Sequence, residues 1–151
     1  MNVRRYSSLV LAVRGLVIAV ERYRAHAARS QLGINATEMV ALGHLYTDGP
    51  LTAAELATRL HITSASATEL VDRLEKTTYA QRQPHPQDRR KRLVTLTDLG
   101  HQAIHAVYNH LGDELAEIYT AFTSDQQRAI DHFLHATTVR LTTPPQADEP
   151  L

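Results

Sequence analysis

The sequence contains no cysteine and no tryptophan, and only 5% of its residues are aromatic. Without cysteine the chain has no disulfide, no thiolate-bound metal and no thiol redox switch, which suits a cytoplasmic protein. A phosphate-binding glycine-rich loop, a serine nucleophile elbow and the HExxH zinc spacing are missing as well. These absences argue against an enzyme and lead us to expect no cofactor.

No apolar run is long enough to span a bilayer, which takes about 20 residues. The N-terminal segment resembles a signal peptide, but Arg14 interrupts its apolar run and three charged residues, Glu21, Arg22 and Arg24, crowd the cleavage position. We therefore expect no leader and no membrane partner. The same segment predicts an amphipathic helix over residues 4–29, because its apolar residues recur at spacings of three and four. They are Leu9, Val13, Leu16, Val17 and Val20.

Acidic and basic residues balance to a net charge of zero, so overall charge gives no argument for nucleic acid. The distribution of these residues along the chain does favour a nucleic-acid partner. Residues 1–29 hold six arginines against one glutamate, residues 73–92 hold seven basic against two acidic residues, and residues 97–151 hold two basic against eight acidic ones. A basic face on a neutral protein still attracts phosphate.

The densest positive charge lies in the segment 82–100, RQPHPQDRRKRLVTLTDLG. Pro84 and Pro86 prevent a helix here, because each lacks a backbone donor and favours an extended residue before it. The segment therefore predicts a basic β-hairpin. Its candidates for DNA contact are Asp88, Arg89, Arg90 and Arg92.

Two capping boxes and a further cap precede this hairpin. Asn35 with Glu38 begins a helix that ends near residue 47, and Thr52 with Glu55 begins a short one that ends near residue 60. Thr63 begins a third helix, whose inward face we expect to consist of Ala67, Leu70, Val71 and Leu74. Two short helices joined by a tight turn are typical of a helix-turn-helix. Its second helix offers Thr63, Ser64, Ser66, Thr68 and Arg73 for contact with DNA.

A long helix with an apolar stripe follows the hairpin, and Ser124 or Asp125 is the expected N-cap of a last helix. We expect a single domain, mainly α with a small two-stranded β-wing: a winged helix-turn-helix over residues 36–97 and a disordered tail over 142–151. The terminal helices, 4–35 and 98–141, carry more apolar surface than the centre can cover, which predicts a homodimer.

Three motifs resemble the MarR family of transcriptional regulators. Asp88-Arg89-Arg90 with Leu96-Thr97 and Gly100 matches the wing signature D-x-R-x5-L-T-x-x-G, and the segments 51–60 (LTAAELATRL) and 70–75 (LVDRLE) match the helix-turn-helix. The resemblance covers residues 30–140. It implies a homodimeric winged helix that binds a palindromic operator, with Arg90 in the minor groove and Asp88 bracing it through a charge-assisted pair. His61 and Thr78 stand where the family commonly has glycine.

The resemblance also implies a crevice for a small, often phenolic, effector, for which Tyr23, His44 and Tyr108 are the candidates. A metal-responsive regulator is the alternative, because His101 and His105 lie four residues apart on one predicted helix face, with His110 and His44 as further donors. An enzyme or protein-interaction module that does not bind DNA is the remote third possibility.

Overall fold

A computed structural model describes residues 3–142, with side chains from residue 8 onward. The chain divides into two units, Met1–Tyr108 and Asn109–Leu151, each of which is described by itself. The boundary falls inside a helix, so the first unit contains the N-terminal helix as well as the helix-turn-helix, beyond the 36–97 segment that we delimited. Of the predicted disordered tail, Thr142 ends the last helix and residues 143–151 lie outside the described chain.

The order of elements confirms the predicted winged helix-turn-helix. A π-helical turn, Ala28–Leu32, extends the first helix and ends at Gly33, whose backbone is left-handed with φ 66°. None of the described helices is both long and apolar enough to span a membrane. The elements are α1 (Val3–Ala27), α2 (Ala36–Asp48), β1 (Leu51–Thr52), α3 (Ala53–Leu60), α4 (Ser64–Lys76), β2 (Ala80–Pro84), β3 (Arg92–Leu96), α5 (Asp98–Tyr119) and α6 (Ser124–Thr142).

Both predicted capping boxes form. The side chain of Asn35 accepts from the Glu38 amide while Glu38 accepts from the Asn35 amide, and Thr52 and Glu55 do the same at the start of α3. For α6 the expected cap is wrong by one residue: Thr123 and Gln126 exchange the capping hydrogen bonds.

The wing has three strands rather than the predicted two. The strands are antiparallel and lie in the order β1-β3-β2. Val94 of the central strand lies opposite Leu51 of β1 on one side and opposite Arg82 of β2 on the other. The two-residue β1 attaches the start of α3 to the hairpin. The wing is therefore held by the helix-turn-helix itself.

The core of the first unit lies between α2, α3, α4 and the sheet. The predicted inward face of α4 is confirmed, since all four of its residues are buried. Around them lie Leu42, Leu56, Val94, Ile104 and Val107, each at most 1% exposed. At about 1.5–3 kcal/mol for each large apolar side chain buried, this cluster fixes the orientation of α4.

The sequence Leu96-Thr97-x-x-Gly100 joins the wing to α5. The Thr97 hydroxyl donates to the Thr78 carbonyl oxygen (2.6 Å) and accepts from the Gly100 amide (3.0 Å). A Cβ atom on Gly100 would lie 2.0 Å from the Tyr79 carbonyl oxygen. Only glycine therefore permits this close packing of α5 against the chain that leaves α4.

Large apolar side chains remain exposed on both units. On α1 they are Leu9, Val10, Leu11, Leu16 and Val17, which are 45–65% exposed. In the second unit they are Leu115, Ile118, Phe122, Phe133, Leu134, Val139 and Leu141, which are 41–75% exposed.

Candidate DNA-binding surface

Helix α4 presents short hydroxyl side chains on the face opposite its buried stripe. Ser64, Ser66 and Thr68 are exposed together near its N-terminus. The Thr63 hydroxyl accepts from the Ser66 amide (3.1 Å) and the Thr68 hydroxyl donates to the Ser64 carbonyl oxygen (3.0 Å). These bonds are local, so the hydroxyls stay within reach of a partner outside the protein.

The turn between α3 and α4 depends on a left-handed residue. His61 ends α3 with φ 52° and ψ 43°, and its amide donates to the Ala57 and Thr58 carbonyl oxygens. Histidine is among the residues that enter this region more readily than most. His61 thus keeps the left-handed conformation that glycine adopts readily.

Arg73, a candidate for DNA contact, is bound within the protein. Its Nε lies 2.5 Å from Oε1 of Glu38, whose side chain is only 6% exposed. The other oxygen of Glu38 accepts from the Asn35 amide (3.0 Å). Glu38 therefore joins the start of α2 to the recognition helix, while the assignment of Arg73 to DNA stays a prediction.

Arg82 takes a role that the sequence did not reveal. Its guanidinium pairs with Asp72 (2.7 Å) and with Glu75, and its amide donates to Glu75 Oε1 (2.8 Å). The two carboxylates lie three residues apart on one face of α4, which is the only hint that the sequence offers. This arginine ties β2 to the recognition helix, and its charge is neutralised.

The tip of the wing is a tight turn with two arginines at its centre. The Lys91 amide donates to the Asp88 carbonyl oxygen (3.0 Å), which places Arg89 and Arg90 at the two central positions. Both side chains are exposed. Oδ1 of Asp88 accepts from the Arg90 amide (3.0 Å).

We expected the Asp88 carboxylate to pair with the Arg90 guanidinium, and the hydrogen bond from the Arg90 amide corrects this prediction. Asp88 holds the backbone of Arg90, and the ion pair that its carboxylate makes is a long one with Lys91, at 4.0 Å. The reason is that aspartate reaches the amide two residues later more easily than any side chain. Arg92 is exposed at the start of β3, beside the turn.

Two acidic groups stay ionised next to the helix-turn-helix. The Thr52 amide, followed by the Thr52 hydroxyl, lowers the pKa of the Glu55 carboxyl below its ordinary value. The Thr47 hydroxyl is the largest influence that lowers the pKa of Asp48, with Arg59 and His44 also contributing. The positive charge of this surface is thus concentrated on the wing.

The three effector candidates lie on α1, α2 and α5, and their assignment to an effector stays a prediction. The Tyr23 hydroxyl donates to the Val107 carbonyl oxygen (3.4 Å), Tyr108 stacks near Tyr46 with ring centroids 5.7 Å apart, and His44 lies 3.3 Å from Asp48. None of the three lines the cavity of about 440 Å³ that opens between α1, α2 and α3. That cavity is lined by Glu21, Arg24, Ala25, Ala36, Thr37, Val40, Arg59 and Leu60.

The histidines form no metal centre within residues 3–142, where no three candidate ligands approach one another. The ring of His101 packs near that of Tyr46, with centroids 6.1 Å apart. His110 lies 3.9 Å from Glu114.

A capped helix-turn-helix, a recognition helix with exposed hydroxyls and a basic three-stranded wing together define a winged-helix protein of the DNA-binding class. The sequence profile described as the MarR family matches residues 34–91. YcgE, an HTH-type transcriptional regulator of Bacillus subtilis, is 30% identical over 72% of this chain and 70% of its own length. The chain belongs to the MarR family of transcriptional regulators, as the three motifs predicted.

Two further comparisons show how much of the chain is similar to known proteins. YkoM, another Bacillus subtilis HTH-type regulator, is 30% identical over 63% of this chain, and the match spans 62% of that relative. A MarR family protein from Bacillus stearothermophilus has the same fold, with a TM-score of 0.80 at 24% identity over 95% of this chain and 99% of its own.

Proposed function

We propose that the chain is a homodimeric repressor that binds a palindromic operator and is released from it by a small effector. The observation that carries the proposal is the turn at the wing tip, which holds two exposed arginines beside a recognition helix with exposed hydroxyls. A recognition helix reads the major groove, while arginines on a neighbouring wing reach the phosphates or the narrow minor groove.

The recognition helix and the wing have different parts in this proposal. Ser64, Ser66 and Thr68 contact base edges, with little discrimination from any one hydroxyl. Arg90 enters the minor groove, where the negative potential is strongest. Arg89 and Arg92 contact phosphates, and each contact adds to the salt dependence of binding.

Three variants test the role of the wing. Arg90→Ala should weaken operator binding by about 1 to 3 kcal/mol and leave thermal stability nearly unchanged, because the side chain is exposed in the free protein. Asp88→Ala should also weaken binding, since it removes the acceptor that orders the Arg90 backbone. Asp88→Asn is the matched control: its side-chain oxygen keeps the acceptor while the charge is lost.

The competing hypothesis is that the wing acts only as a basic patch. Loss of the Asp88 charge would then tighten binding to any DNA, and both substitutions at this position would do so equally. Measuring the affinity of each variant for one operator fragment at two salt concentrations separates the two hypotheses. An Arg90→Ala protein that binds like the parent, or an Asp88→Ala protein that binds more tightly, would remove the wing from the mechanism.

The exposed apolar side chains of α1 and, separately, those of residues 109–142 support a dimer. Exposed apolar surface on this scale marks an interface, and a twofold dimer suits a palindrome whose half-sites lie about 34–36 Å apart. Sedimentation equilibrium should give twice the mass of the 16.9 kDa chain. A monomer that holds the palindrome at full affinity would contradict the assignment of the terminal helices.

The effector site is best supported at the cavity between α1, α2 and α3, whose volume lies within the usual range of about 300–1,000 Å³. Arg24 Nε is buried there without a hydrogen-bond partner in the described chain, so an anionic group would satisfy it. Benzoate should raise the melting temperature more than phenol does, and Arg24→Met should abolish the difference. Equal shifts by the two compounds would exclude this arginine from the site.

A further inference from the structure

A second side chain closes a turn in the wing, three residues before Asp88. Nδ1 of His85 accepts from the amides of Gln87 and Asp88, both at 3.2 Å. The residue after it is Pro86, which fixes its own φ and keeps His85 extended. Asparagine and aspartate commonly accept from amides two and three residues later, and here an imidazole nitrogen takes that place.

The two turns form one chain of contacts that ends at Arg90. His85 Nδ1 holds the amide of Asp88, and Asp88 Oδ1 holds the amide of Arg90. The His85 amide also donates to the Lys91 carbonyl oxygen (3.2 Å), so His85 lies at the base of the whole loop. The direction in which the two central arginines leave the wing thus depends on His85.

We propose that His85 is a positioning residue for DNA binding, and that it makes the order of the wing depend on pH. An imidazole nitrogen accepts a hydrogen bond only when it carries no proton, and a protonated ring is a donor at both nitrogens. Protonation of His85 therefore removes the acceptor of two amides at once. The inference rests on the proposed contact between the wing and DNA.

The charged groups that face His85 come from α3 and from the wing itself. His85 lines a cleft together with Glu55 of α3 and with Lys91 and Arg92, and Asp88 lies in its own turn. Glu55 is engaged by the Thr52 amide and hydroxyl, and Asp88 by the Arg90 amide. Protonation would add a positive charge that favours phosphate, so loss of the turn and gain of charge predict opposite changes in affinity.

His85→Asn and His85→Ala separate these two effects. The side-chain oxygen of asparagine occupies nearly the place of Nδ1 and keeps its acceptor at every pH, while alanine has none. At about pH 8, His85→Asn should bind operator within about twofold of the parent and His85→Ala about three- to tenfold more weakly. At about pH 5.5 the parent should lose about three- to tenfold relative to His85→Asn.

The comparison at fixed pH cancels the other histidines, because all the proteins share them. A nitrogen-detected NMR spectrum of the parent should find the neutral ring protonated on Nε2 at about pH 8. A parent-to-Asn affinity ratio that stays constant with pH, or that shifts in favour of the parent in acid, would overturn the inference, as would protonation on Nδ1. Arg90→Ala is measured alongside: if it binds like the parent, the proposed wing contact itself fails, whereas a normal loss with a constant ratio rejects the role of His85 alone.

Discussion

Replacing Arg73 by alanine removes the partner of a buried carboxylate. Glu38 is 6% exposed and would keep a single hydrogen bond, from the Asn35 amide. Breaking a buried ion pair costs about 3–5 kcal/mol, because the remaining charge is left without compensation. Arg73 itself is 46% exposed, so part of the interaction is already screened by water. We therefore expect a loss of about 2–3 kcal/mol in the free energy of unfolding.

Urea denaturation without DNA measures this loss, at fixed protein concentration because dimerisation contributes to stability. With a slope of about 1–3 kcal/mol per molar urea, a loss of about 2–3 kcal/mol lowers the midpoint by about 0.7–3 M. Arg89→Ala is the matched control: the same substitution at an exposed position should change stability by less than about 0.5 kcal/mol.

A double-mutant cycle locates the effect in the pair. Glu38→Gln keeps an oxygen for the Asn35 amide but removes the charge, so Arg73→Ala should cost about 1–2 kcal/mol less in that background. A midpoint for Arg73→Ala equal to that of Arg89→Ala, together with a large loss of operator affinity, would refute the reasoning. Arg73 would then contribute to DNA binding and not to the stability of the fold.

Two backbone positions give further predictions. Thr78 has φ 61°, an unfavourable conformation for a β-branched residue, so Thr78→Gly should raise stability by about 0.5–1 kcal/mol in thermal denaturation; a lower melting temperature would contradict it. Gly100→Ala should cost at least about 3 kcal/mol or prevent folding, because of the Tyr79 carbonyl oxygen at its Cβ position. Gly112→Ala is its control in urea denaturation, since a Cβ there meets nothing within 4 Å, and equal midpoints for the two variants would disprove the steric argument.

Local chemistry made much of the fold predictable. A cap is a contact across three residues, so Asn35 and Glu38 could be recognised together, and so could Thr52 and Glu55. The buried stripe of α4 follows from helical spacing alone. The basic hairpin was predicted because Pro84 and Pro86 exclude a helix.

Contacts between distant segments could not be predicted in this way. Glu38 and Arg73 are 35 residues apart, and nothing in either local pattern identifies the other as a partner. The capping box even suggested that the carboxylate of Glu38 was already committed. Strand β1 is two residues long, too short for any alternation of polar and apolar residues to reveal it.

The ion pairs divide the recognition helix into two parts. Its C-terminal half carries Asp72, Arg73 and Glu75, and each of these charges has a partner inside the protein, in Arg82 or Glu38. Its N-terminal half carries hydroxyls that bond only to neighbouring residues of the helix. These three charges therefore hold the helix in place and contribute little to the attraction of DNA; Glu69 and Lys76 are the other charged residues of α4, and both are exposed. The salt dependence of operator binding should accordingly come from the wing, where Arg89, Arg90 and Arg92 are exposed, while the identity of the bases is read by side chains that carry no charge.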